Sequence, residues 1–102
     1  MTMIFTVEDI KKLYLPVFTK YGVEHVWLFG STARGENNSA SDVDFLYDRP
    51  ESFIDDPFLA MDLLEDLINV SDKDVDLVTV QDLTRVRGGL YESVMKERIK
   101  LN

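Results

Sequence analysis

Hydrophobic positions in this chain change their spacing along its length, and the changes mark out its elements. Ile10, Leu13, Tyr14, Val17 and Phe18 recur at intervals of three and four, which places them on one face of a helix. Thr6 and Asp9 form a capping arrangement at its start, Pro16 predicts a kink or break within it, and Gly22 ends it. A first strand is expected at about Val23–Phe29, then a Gly-Ser turn with a short helix, then a second strand at about Ser41–Tyr47. Pro50 to Asp56 reads as a connection, and Phe58 to Ile68 has helical spacing through Met61, Leu64, Leu67 and Ile68. A third strand is expected over Val75–Val80 and a helical turn over Gln81–Arg85. A break at Gly88-Gly89 precedes a final amphipathic helix marked by Leu90, Tyr91, Val94, Met95 and Ile99.

This alternation predicts an α/β fold, a small mixed β-sheet flanked by helices, with residues 1–102 as a single domain. The chain has no Cys, which excludes disulfides and thiolate zinc sites, and it carries no signal-like or membrane-length apolar run. The expectation is a cytoplasmic protein that does not enter a membrane.

Net charge is −8, divided unevenly. Residues 1–82 hold 6 Lys and Arg against 17 Asp and Glu, whereas residues 83–102 hold 5 against 2. An acidic body repels a long nucleic acid, so none is expected as a partner. The basic tail, Arg85, Arg87, Lys96, Arg98 and Lys100, fits either a phosphate or acidic partner or a solvated helix face with its cations near the C-terminal end.

The chemistry concentrates where the first strand stops. Leu28-Phe29-Gly30-Ser31-Thr32-Ala33-Arg34-Gly35 leads into Ser41-Asp42-Val43-Asp44. In a strand, Asp42 and Asp44 share one face while Val43 and Phe45 turn to the core. Two carboxylates about 4 Å apart repel by roughly 4 kcal/mol at an effective dielectric of about 20, unless a cation lies between them. Oxygen donors without His or Cys favour a hard ion, magnesium or manganese. Gly30 permits close approach of the backbone to a phosphate, and Ser31 offers a hydroxyl and an amide, either to that phosphate or to cap the short helix. Arg34 suits an acidic side chain such as Glu36 or a triphosphate. On the third strand Asp76 lies between Val75 and Leu77, with Asp74 as the rival on the same strand face. His25 and Trp27 are read as packing residues on the first strand.

The joint pattern G-S-x-A-R-G…S-D-x-D, with a later strand Asp, resembles the minimal nucleotidyltransferases of the DNA polymerase beta-like superfamily. The resemblance covers nearly the whole chain. It implies a polymerase beta-like nucleotidyltransferase core in which Asp42, Asp44 and Asp76 hold two magnesium ions and Gly30, Ser31 and Arg34 hold the phosphates of ATP. Such proteins are commonly antitoxins paired with HEPN-domain RNases, which implies transfer of AMP to a tyrosine of a HEPN toxin. Two alternatives stand beside this: an antitoxin acting by binding alone, and a nucleotidyltransferase acting on a small molecule such as an antibiotic.

Overall fold

The computed structural model describes residues 6–34, 42–71, 73–85 and 89–102, apart from the side chains of Ser31 and Thr32. Among the described residues the elements in order are α1 (Val7–Lys20), β1 (Val26–Phe29), α2 (Gly30–Ala33), β2 (Val43–Tyr47), α3 (Ser52–Asp55), α4 (Phe58–Val70), β3 (Val75–Thr79), α5 (Val80–Leu83), α6 (Gly89–Glu97) and β4 (Ile99–Lys100). The strands form one mixed sheet in the order β3-β2-β1-β4. β1 is antiparallel to β2 and to β4, and β2 is parallel to β3.

α1 begins on the predicted capping box, with the Thr6 hydroxyl accepting from the Asp9 amide and the Asp9 carboxylate accepting from the Thr6 amide. The helix runs unbroken through Pro16, so of the expected kink or break the break does not occur. Proline removes one amide and leaves the carbonyl of Lys12 without it, but Lys12 is exposed to water, and Tyr14 and Phe18 on either side are fully buried. Burial of those two aromatics against Phe45, each with ring centroids 5.1 Å away, holds the helix onto the sheet. The helix ends as predicted at Gly22, whose amide bonds to the Thr19 carbonyl while the Val23 amide reaches Phe18. This is a Schellman close, and it requires the left-handed φ of +77° that Gly22 adopts.

The pleat divides the core in two. Val26, Leu28, Val43, Phe45, Tyr47 and Val75 pack with Ile10, Tyr14, Phe18, Leu63 and Leu67 beneath α1 and α4. On the other face Leu46, Leu83 and Val94 gather Trp27, Phe29, Val78, Tyr91 and Met95 into a smaller cluster. α1 and α4 are also joined by polar contacts: the Tyr14 hydroxyl lies 2.6 Å from Ser71 Oγ, and the Tyr21 hydroxyl donates to Asp66 at 2.5 Å. The Asp66 carboxylate holds the Tyr21 phenol proton in place, pushing its pKa up to about 12.

The structure adds two elements to the sequence reading. The connection after Pro50 contains one helical turn, α3, and Ile99 belongs to a two-residue edge strand and not to the final helix, which stops at Glu97. Ser41 and Gly88, read as a strand start and a helix break, lie outside the described residues.

Candidate active site

Asp44 stands on the sheet face that carries the smaller cluster, at the end of the sheet where β1 stops. It is the second residue of β2, and its neighbours Val43 and Phe45 are buried in the larger core, so the strand pleat points its carboxylate the other way. Phe29 on β1 and Asp76 on β3 are its partners across the two ladders. Because β1 passes directly into α2, Gly30 lies beside the same carboxylate. With φ at +75°, Gly30 takes a conformation other residues resist, and a Cβ there would overlap Asp44 Oδ2 and lie 3.1 Å from its Cγ. Gly30 is therefore required twice over, by its backbone angle and by the space the carboxylate occupies.

The charges on this face act on one another. Asp44 is half-buried, and its pKa is pushed up to about 6, first by lost hydration, then by a hydrogen-bonding contact with Asp76 and the charges of Asp76 and Asp42. Arg34 opposes the shift. Asp42, exposed just before β2, and Asp76, exposed on β3, thus both bear on Asp44. The rival Asp74 is exposed one residue ahead of β3 and contributes its main-chain carbonyl, which accepts from the Val43 amide at 3.0 Å.

Arg34 follows α2, its amide bonded to the Gly30 carbonyl at 3.2 Å. Its Nη1 donates to Glu97 Oε2 at 2.9 Å, joining the Gly30 turn to the end of α6. Glu97 lies 63 positions away, beyond the reach of the local spacing that offered Glu36 or a triphosphate, and Glu36 lies outside the described residues. The Ser31 side chain lies outside the described residues.

Among the described residues no three His, Cys, Asp or Glu side chains close into a group able to hold a metal ion by themselves. The donors that bear on Asp44 are carboxylate oxygens, and its raised pKa reflects first lost hydration and then the contact and charge of Asp76 and the charge of Asp42. Oxygen donors of this kind suit a hard cation.

The remaining sequence candidates sit elsewhere on this face. Trp27 is partly buried in the smaller cluster, with the His25 ring stacked at 6.2 Å. The Lys100 ammonium lies 4.5 Å and the Arg98 guanidinium 4.9 Å from the Trp27 ring centre. Two cations of the basic tail thus rest on an aromatic surface, and Arg85 lies 3.9 Å from Asp82. Arg87 lies outside the described residues.

Comparison with known proteins gives one family and several relatives. Residues 9–101 match the nucleotidyltransferase domain family. A protein of Methanocaldococcus jannaschii whose name proposes it as a protein adenylyltransferase is 34% identical over 79 residues, spanning 76% of this chain and 81% of its own. A toxin–antitoxin crystal structure with AMP-PNP superposes with a TM-score of 0.70 at 22% identity, over 90% of this chain and 72% of that one. The complex of a tri-AMPylated HEPN toxin of Shewanella oneidensis with its minimal nucleotidyltransferase (MNT) antitoxin superposes at 0.67 with 18% identity, over 95% and 72%. At those identities the two structures establish the shared fold: a four-stranded mixed sheet flanked by helices.

Proposed function

Because the chain belongs to the nucleotidyltransferase domain family, we propose that it is a magnesium-dependent adenylyltransferase. It moves AMP from ATP to a tyrosine hydroxyl of a HEPN-domain toxin and so acts as that toxin's antitoxin in the cytoplasm. The observation that carries the reading is the juxtaposition of Asp44, Asp76 and Gly30, in which a carboxylate pair meets a turn that tolerates no side chain. The naming of the archaeal relative and the AMPylated toxin beside an MNT antitoxin support the substrate and partner class. AMP-PNP in the other toxin–antitoxin structure supports ATP as donor. No helix among the described residues is long and apolar enough to cross a membrane.

Asp42, Asp44 and Asp76 would hold magnesium, which when bound supplies the positive charge that polarises the α-phosphate and lowers the pKa of the acceptor hydroxyl. Gly30, Ser31 and Arg34 would hold the β- and γ-phosphates, and the bond to Glu97 restrains Arg34 at the end of the Gly30 turn. Asp76 lies exposed on an edge strand, open to an incoming hydroxyl, and its carboxylate takes the proton as the hydroxyl oxygen bonds to the α-phosphorus. The bond from that phosphorus to the bridging oxygen breaks, and pyrophosphate leaves. Positioning of the two reactants accounts for much of the rate, and the partner must bring its own hydroxyl to the site.

Mass spectrometry of the chain co-expressed with a HEPN-domain partner is the test. Increments of AMP on a partner tyrosine, lost in the Asp42→Asn, Asp44→Asn double variant, are expected. Asp76→Asn should slow transfer far more than it weakens ATP binding, and Asp74→Asn should have little effect. An unmodified yet inhibited partner would convert the reading to antitoxin action by binding alone. Label from ATP appearing on a small molecule would convert it to small-molecule transfer.

A further inference from the structure

Helix α4 is apolar on two sides. Leu63 and Leu67 are fully buried in the larger core, yet Phe58 is 69% exposed, Met61 68% and Ile68 38%. Ile54 on α3 adds another apolar side chain at 63% exposure. Four of the six large apolar side chains exposed among the described residues thus fall between positions 54 and 68. A helix with a second apolar stripe in water is one whose partner is missing.

The relief of this surface suits a helix. Phe58, Met61, Leu64 and Ile68 line a groove of about 350 Å³ with Asp62 and Glu65 at its border. On the other side of Met61 and Leu64 lies a second groove of about 390 Å³, lined by Phe53, Pro57, Leu77 and Thr79, with Arg49 and Asp82 also on its wall. Met61 and Leu64 therefore form a ridge between two furrows, the shape into which the side-chain rows of a packed helix fit.

Charge selects the occupant. Residues 50–70 contain Glu51, Asp55, Asp56, Asp62, Glu65 and Asp66 and not one Lys, Arg or His. Asp66 pairs with Lys20 at 3.3 Å on the α1 side, while Asp62 and Glu65 border the exposed groove. A second copy of this chain would bring the same acids against them, and like charges set face to face oppose association.

We infer that this face docks an amphipathic helix of a partner protein, one whose apolar stripe is flanked by Lys or Arg. α4 covers the sheet face opposite to that of Asp44 and Asp76, so a partner held there leaves the carboxylates open. The inference stands without the adenylyl-transfer reading: loss of transfer in Asp42 or Asp44 variants does not bear on it.

The experiment uses the full chain and a labelled 18-residue helical peptide with Leu at i, i+3, i+4 and i+7 and Lys on the flanks. Fluorescence anisotropy at about 0.15 M salt should show saturable binding, and amide shifts in NMR spectra should concentrate between positions 54 and 69. Met61→Ala with Ile68→Ala, which leaves every charge in place, should weaken binding about tenfold or more, since a few anchors dominate such interfaces. Unchanged melting of that variant establishes that its fold is intact. A peptide of the same composition, scrambled so that no face is apolar, should bind at least about tenfold more weakly. Equal binding of the scrambled peptide, shifts centred elsewhere, or sedimentation of the free chain as a dimer broken by Met61→Ala with Ile68→Ala would overturn the inference.

Discussion

Gly30→Ala and Gly22→Ala compare two glycines with almost the same backbone angle in different surroundings. Gly22 has φ at +77° and Gly30 at +75°. Holding alanine in the left-handed region costs about 1–2 kcal/mol, so that loss is common to both variants. At Gly22 a Cβ meets nothing within 4 Å, and the angle is the whole cost. At Gly30 the Cβ overlaps the Asp44 carboxylate, which must leave its rotamer at a further cost of about 0.5–1.5 kcal/mol. Urea unfolding monitored by circular dichroism should therefore rank Gly30→Ala below Gly22→Ala by about that increment. In a double-mutant cycle with Asp44→Ala the increment should vanish at position 30, and the same cycle at position 22 should show no coupling. Equal losses at the two glycines, or a Gly30 cost that survives removal of the Asp44 carboxylate, would refute the close approach on which the site reading rests.

Asp44 predicts a pH dependence in metal-free protein. Its folded-state pKa of about 6 lies above that of an unfolded aspartate, so its stabilising share is complete below about pH 4 and is lost as pH rises through about 6. Because the group is half exposed, solvent screening limits the effect to about 1–2 kcal/mol. Urea midpoints in EDTA between about pH 4.5 and 7.5 should show Asp44→Asn gaining on the wild type as pH rises, and a constant difference would contradict this. On α4, Leu63→Ala should cost about 2–5 kcal/mol and Met61→Ala no more than about 0.5, because only the first creates a cavity. Comparable losses at both positions, measured by thermal unfolding, would place Met61 in the core.

The helix spacing, capping box and strand alternation were legible in the sequence because each depends on residues within a few positions of one another. Thr6 and Asp9 cap α1 and Gly22 closes it. Val43 and Phe45 turn inward where Asp44 turns out, as a period of two demands. The apolar spacing of α4 was equally visible, but it did not say which apolar face meets the sheet: Leu63 and Leu67 do, and Met61 and Ile68 do not. Helical periodicity cannot rank two apolar faces of one helix; only docking against α1 and β3 decides between them.

Residue types and spacing singled out the Gly30-Ser31 turn and the Asp42 and Asp44 pair, which are local patterns, while the family resemblance added Asp76 from a later strand. Tertiary structure decided what long-range pairing alone can set. The parallel register of β2 and β3 sets Asp76 opposite Asp44 and leaves Asp74 to bond Val43 through its main chain. The Arg34 to Glu97 pair and the addition of Ile99 and Lys100 to the edge of β1 likewise join residues about 60 to 70 positions apart. The physical reason is that the sequence encodes local conformational preference through sterics and hydrogen bonding between near neighbours, whereas distant partners are selected only when burial of the common core brings the strands into a single register.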